Sequence, residues 1–136
     1  MNLASRSARL LAQFVDGLAA FGPFVILVLL SPDEPSNPTV MVWLIALLLG
    51  IGYLFLADAQ PGGQSFGKRM LDIAVVDERT GLPCTAWQSF VRNLLLSVLG
   101  FVDWVFIFGE RRQRLGDIAA GTIVVRTAPF GAAYPR

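Results

Sequence analysis

The sequence predicts an all-α membrane protein: two transmembrane helices, a broken or re-entrant third helical segment, and a small cytoplasmic β element. Three observations lead there. Hydrophobic residues make up 54% of the 136 positions and charged ones 15%, well short of the roughly one quarter that a soluble domain uses to keep a polar surface. The apolar excess is gathered in long runs, as lipid-facing helices require. Lys and Arg fall almost wholly between those runs.

Residues 1–9 are short and basic, with Arg6 and Arg9, and residues 10–30 form the first apolar run. At 1.5 Å per residue that run spans the roughly 30 Å of bilayer hydrocarbon. A basic start before an apolar run also suggests a signal peptide. Asp16 inside the run, its length, and the lack of a small-residue cleavage site after it argue for a retained helix. Residues 31–39 are a polar turn whose Pro32, Pro35 and Pro38 block helix, with Asp33 and Glu34 but no cation. Residues 40–57 carry no charge and form the second span, with Trp43 and Tyr53 suited to the interfaces near its ends.

A Gly-rich basic loop follows, then MLDIAVVD at 70–77, a β-branched run matched by TIVVRT at 122–127. Each is too short to span as a helix, and the two are expected to pair as a small sheet at the membrane surface. Residues 86–108 are a third apolar stretch, interrupted by Arg92 and Asp103 with Gly100 near a break. The organisation is therefore one membrane domain over residues 1–128 and a flexible tail over 129–136.

Of the eleven Lys and Arg, two lie in residues 1–9, none in 31–39, three in 58–85 and five after 108, with Arg92 between. The positive-inside rule places the N-terminus in the cytoplasm, the 31–39 turn outside and the 58–85 loop inside. A straight third span would put five arginines outside and separate the two β-like runs. A hairpin broken near Gly100, entering and leaving on the cytoplasmic side, avoids both conflicts and keeps the C-terminus cytoplasmic, provided protein covers its irregular backbone. The charge rule favours the hairpin, and the straight span remains the alternative.

Arg9, Gln13 and Asp16 are four and three residues apart and share a helix face. An ionised Asp in a bilayer is tolerated when paired or hydrated, so Asp16 is expected to face the protein interior, with Arg92 as the partner across elements. Arg92 and Asp103 return to nearly the same face of a continuous helix. These charges read either as an ion or proton site or as internal glue between helices, with Arg9 alternatively a snorkelling anchor. Lys68, Arg69, Arg111, Arg112 and Arg114 are expected to contact anionic lipid head groups.

Several functions are excluded. The chain has no histidine and one cysteine, Cys84, which removes Ser-His-Asp and Cys-His catalysis, imidazole metal sites and any disulfide framework. No nucleophile–base pair, metal cluster or cofactor site is visible, so no enzyme is expected. A net charge of +1 points to no nucleic acid. The run Gly62 to Arg69 matches a phosphate-binding loop until its last position, where Arg69 replaces the magnesium-binding hydroxyl. The loop also sits between a helix and a strand, the reverse of the order that aims amides at phosphate.

Arg9 at the start of the first helix, Asp16 within it, GQSFGKRMLDIAVVD, Arg92-Asn93 and RRQRLGDIAAGTIVV occur in that order across almost the whole chain. Together they resemble the RDD family of small membrane proteins, named for one arginine and two aspartates. On that resemblance Arg9 and Asp16 are the arginine and first aspartate, and Asp117 the second, with Asp103 as the alternate. The resemblance implies a multi-pass protein of the cell membrane and a transport role, or an accessory place in a larger membrane assembly. Two functions follow as expectations. One is a homo-oligomer that moves an ion or small solute, with Asp16 titrating under the influence of Arg9 or Arg92. The other is a non-catalytic accessory or assembly subunit packed on a larger complex.

Overall fold

A computed structural model describes residues 2–108, 110 and 112–127. Helix α1 (Arg6–Leu29) opens on Ser5, whose side-chain oxygen accepts from the Ala8 amide at 3.2 Å. Capping places the start of α1 four residues before the apolar run begins. The buried residues of α1 are Arg9, Ala12, Asp16 and Ala20, at the three- and four-residue spacing of one stripe. Leu10, Leu11, Phe14 and Leu18 face outward, each more than half exposed. Within its apolar length the helix thus hides Asp16, Ala12 and Ala20 and shows many of its large apolar residues, the inverse of a soluble amphipathic helix.

Helix α2 (Asn37–Leu56) starts with Pro38 in its first turn and is apolar on all sides, as expected where most of its surroundings are lipid. It runs antiparallel to α1. Trp43 Nε1 donates to Ser31 Oγ at 3.0 Å near the turn, and Tyr53 donates to Asp16 at 2.8 Å toward the other end. Between them Gly50 packs on the Ala20 carbonyl, leaving no room for a β-carbon. Tyr53 is half-buried and directs its hydroxyl to a carboxylate on α1. Helices Arg6–Leu29 and Asn37–Ala59, the latter continuing through a 3-10 turn, are long and apolar enough to cross a membrane.

Strands β1 (Ile73–Asp77) and β2 (Thr122–Arg126) pair antiparallel, with Val75 opposite Val124. Both edges are covered. Leu3 bridges to Val125, and on the far side the Cys84 amide donates to the Val75 carbonyl at 3.0 Å. Helix α3 (Phe66–Met70) leads into β1. Ile73, Val75, Val124 and Cys84 pack with Ala4 and Ala12, which ties the sheet to the first turns of α1.

Helix α4 (Ala86–Leu99) carries a reciprocal cap between Thr85 and Gln88. It ends at Gly100, whose φ of 51° and ψ of −120° suit only glycine. Helix α5 (Phe101–Val105) and a 3-10 turn follow, and α6 (Leu115–Ala120) leads into β2. The segment from 86 to 121 therefore leaves the sheet after β1 and returns to the same sheet. The break removes the common helical face expected for Arg92 and Asp103, which lie on different helices. The expected tail, 129–136, lies outside the described residues.

Candidate functional site

Helix α6 has six residues, yet it carries the carboxylate on which three arginines converge. Asp117 Oδ2 accepts from the Arg114 backbone amide at 3.0 Å, closing the first turn. The same oxygen takes the Arg9 guanidinium, while Oδ1 lies 2.9 Å from Arg92 Nη2 and 3.7 Å from Arg114 Nη2. Gly116 brings α6 against α4: an added β-carbon would lie 2.6 Å from the Arg92 carbonyl oxygen. Its amide donates to Asp103 Oδ1 at 2.7 Å, and Arg114 Nε stands 3.7 Å from Asp103 Oδ2.

The cluster extends through Arg92 to the end of α2. Asp58 closes that helix and takes the Lys68 ammonium from α3, with Arg92 Nη1 at 3.4 Å from its Oδ2. The Asp58 amide donates to Ser89 Oγ at 3.2 Å, and Ser89 donates on to the Phe55 carbonyl at 2.8 Å. Arg9 also donates to the Arg112 carbonyl, and Arg114 Nη1 to Gln13 Oε1 at 2.9 Å. Four cations (Arg9, Lys68, Arg92, Arg114) and three carboxylates (Asp58, Asp103, Asp117) thus come from α1, α2, α3, α4, α5, α6 and their ends. Arg92, Asp103 and Asp117 are 0% exposed.

Burial by itself raises the pKa of Asp117, but the charges of Arg92, Arg114 and Arg9 outweigh it and hold the carboxyl well below the usual range. It stays ionised. Burial pushes the Cys84 thiol up to about 11, so the single cysteine is neutral and inert at neutral pH. Each carboxylate of the cluster is committed to cations, and among the described residues no acidic or thiol group of three is placed to hold a metal. Beside the cluster, Arg9, Gln13, Lys68, Arg92, Arg114 and Val124 enclose about 10 Å³ open to the centre of a water-sized sphere, room for one water or one small ion.

Asp16 stands apart from these charges. Its Oδ1 accepts from Tyr53 and from the Gly67 amide, both at 2.8 Å, and its Oδ2 accepts from Ser65. The expected pairing with Arg92 is corrected: Arg92 turns to Asp58 and Asp117, and neutral donors meet Asp16. Arg9 likewise reaches Asp117 instead of Asp16. The buried Asp16 holds the α3 loop on α1, where Gly67 packs against the Ala12 carbonyl with no space for a β-carbon. That contact, not phosphate, explains the glycine in the loop.

The basic residues divide. Lys68 and Arg114, expected at lipid head groups, have side chains 13% and 4% exposed and are spent in ion pairs. Their place on basic loops concealed this: Lys68 reaches Asp58 ten residues back, and Arg114 reaches Asp103 as well as the nearby Asp117. Arg69 is half-buried and donates to the Pro61 carbonyl at 3.4 Å. Arg112 is also half-buried, with Nη1 3.5 Å from the Ala4 carbonyl. Arg111 lies outside the described residues. Sequence reasoning missed Asp58, Ser65 and Ser89; Asp58 carried a signal, as the lone acid closing an uncharged span.

The family model described as RDD family matches residues 3–121. The chain belongs to that family, which is membrane-associated, and the match takes in Arg9, Asp16, Asp58, Arg92, Asp103 and Asp117. Neither the curated proteins nor the solved structures include a match.

Proposed function

We propose that this member of the RDD family is a non-enzymatic protein of the cell membrane that acts as a homo-oligomer and handles an ion or small solute at the buried charge cluster. One observation carries the reading: four cations and three carboxylates from six helices and their ends form one largely buried network, and its four cations line a small cavity. Charges in such a chain are costly to bury and point to function by default. The cluster replaces Asp16 as the working site, because Asp16 is saturated by neutral donors.

Two spans are too few to enclose a path, so the outer faces of α1 and α2 (Leu18, Ile26, Leu44, Leu48) meet lipid or a second copy. The sheet end, with the Lys and Arg, lies in the cytoplasm by the positive-inside rule and the 31–39 turn outside. The α4–α5 hairpin dips into the bilayer from the cytoplasmic side, and no nucleic acid is involved.

A second reading, an accessory or assembly subunit, is favoured by Asp16 serving as a latch between α1 and the α3 loop. Native mass measurement after gentle extraction separates the two. Homo-oligomers without foreign protein support ion handling; a stoichiometric foreign partner replaces it with the subunit reading.

A further inference from the structure

Away from the charge cluster, a cavity of about 410 Å³ opens beside α3, lined by Phe66, Arg69, Met70 and Asp72. Phe66 and Met70 stand one helical turn apart, and both are more than half exposed. The same short helix sends Lys68 inward to Asp58 and Arg69 to the Pro61 carbonyl, which Arg69 Nη2 reaches at 3.4 Å. That contact engages one nitrogen of a guanidinium that carries five donors. With Asp72 in the same wall, the cavity has one charge of each sign. Pro61 fixes its depth: it comes two residues after the apolar segment Asn37–Ala59, so Arg69 is held where hydrocarbon gives way to head groups. A second hollow, of about 360 Å³, lies on the last turns of that segment and is lined by Leu48, Leu49, Gly52, Tyr53, Leu56 and Gln60. Two links bring the hollows together: the Phe66 amide donates to the Tyr53 hydroxyl at 3.1 Å, and Gln60 adjoins Pro61.

We infer that α3 and the end of α2 bind one zwitterionic aminophospholipid, of the phosphatidylethanolamine class. Its phosphate meets Arg69, its ammonium turns to Asp72, and one acyl chain lies over Gly52 between Leu48 and Leu56. Arginine takes phosphate through charge-assisted hydrogen bonds. A head group that carries both signs matches a wall that carries both, whereas a purely anionic one would meet Asp72 as a like charge. Phe66 and Met70 cover the glycerol end of the chains. The acyl hollow is open because residue 52 has no side chain, and a β-carbon added there would meet nothing within 4 Å. Lipid at this site does not depend on ion movement at the charge cluster.

The test gives the purified chain in detergent either phosphatidylethanolamine or phosphatidylglycerol of the same acyl composition. Native mass measurement counts the lipid retained, and thermal unfolding reads the stabilisation that bound lipid confers. One phosphatidylethanolamine per chain should be retained, with a higher unfolding midpoint than in phosphatidylglycerol. Arg69→Ala should lower retention at least several-fold while its lipid-free midpoint stays near that of wild type, since it gives up one long hydrogen bond at the surface. Gly52→Leu fills the hollow from open space and should lower retention in the same way. Asp72 has a φ of 50°, which asparagine also adopts, so Asp72→Asn should fold and shift the preference toward phosphatidylglycerol. Wild-type protein that retains neither lipid, or both equally, overturns the inference, as does unchanged retention in Arg69→Ala or Gly52→Leu. A lipid-free dimer that Gly52→Leu abolishes would assign the hollow to a second copy and overturn it too.

Discussion

Replacing Asp117 by Asn would leave Arg9, Arg92 and Arg114 facing a neutral amide in a site with no exposure to water. Removing one partner from a buried ion network destabilises by about 3–5 kcal/mol, so Asp117→Asn should unfold in detergent at a much lower temperature than wild type. The pH dependence has a definite sign. A carboxyl whose folded pKa is depressed stabilises fully above its unfolded value of about 3.9 and loses that effect as pH falls through the folded value. Asp117 is depressed, so its contribution should hold from pH 7 to about pH 4 and decline only below that. A fall in midpoint setting in near pH 6 would contradict it. At this scale the sequence showed which residues were misplaced in an apolar chain: Arg9, Asp16, Arg92 and Asp103. It did not show their partners, because helical spacing identifies neighbours on one face and says little about what packs across from it. Hence Asp16 was matched to Arg92, and Asp58 was overlooked.

The helices owe their arrangement to a few close approaches. Gly50 touches the Ala20 carbonyl, so Gly50→Ala should push α1 and α2 apart and cost about 1–3 kcal/mol, the usual penalty of overpacking. Thermal unfolding measures it, and an unchanged midpoint would show that the helices do not meet there. Gly100 has open space around it but a positive φ of 51°. Gly100→Ala should therefore destabilise through backbone strain alone, by about 1–3 kcal/mol. The long apolar helices and both strands were legible, since run length and β-branched content report directly on burial and pleat. Boundaries were not: α1 begins at the Ser5 cap and α2 around Pro38, outside the apolar runs. The short α3 and α6 carry too little periodicity to be read, and they hold Lys68 and Asp117, with Arg114 capping α6.

For the whole molecule, pairing of β1 with β2 joins both ends of the 86–121 segment to one sheet. The orientation in the bilayer is testable with cysteines on exposed loops, because buried Cys84, with its thiol pushed up to about 11, should stay silent. An impermeant maleimide should label Glu34→Cys in intact cells and Arg79→Cys only in inside-out vesicles. The opposite pattern would invert the topology. Charge counting alone predicted this orientation, whereas the inward turn of Lys68 and Arg114 was hidden, since position on a basic loop does not decide whether a side chain meets lipid or a carboxylate.

The most direct test of ion handling at the charge cluster is small-ion flux in liposomes reconstituted with the purified chain. Flux well above that of protein-free liposomes is predicted. Flux no greater than in protein-free liposomes, from wild-type protein that still unfolds cooperatively on heating, would contradict it.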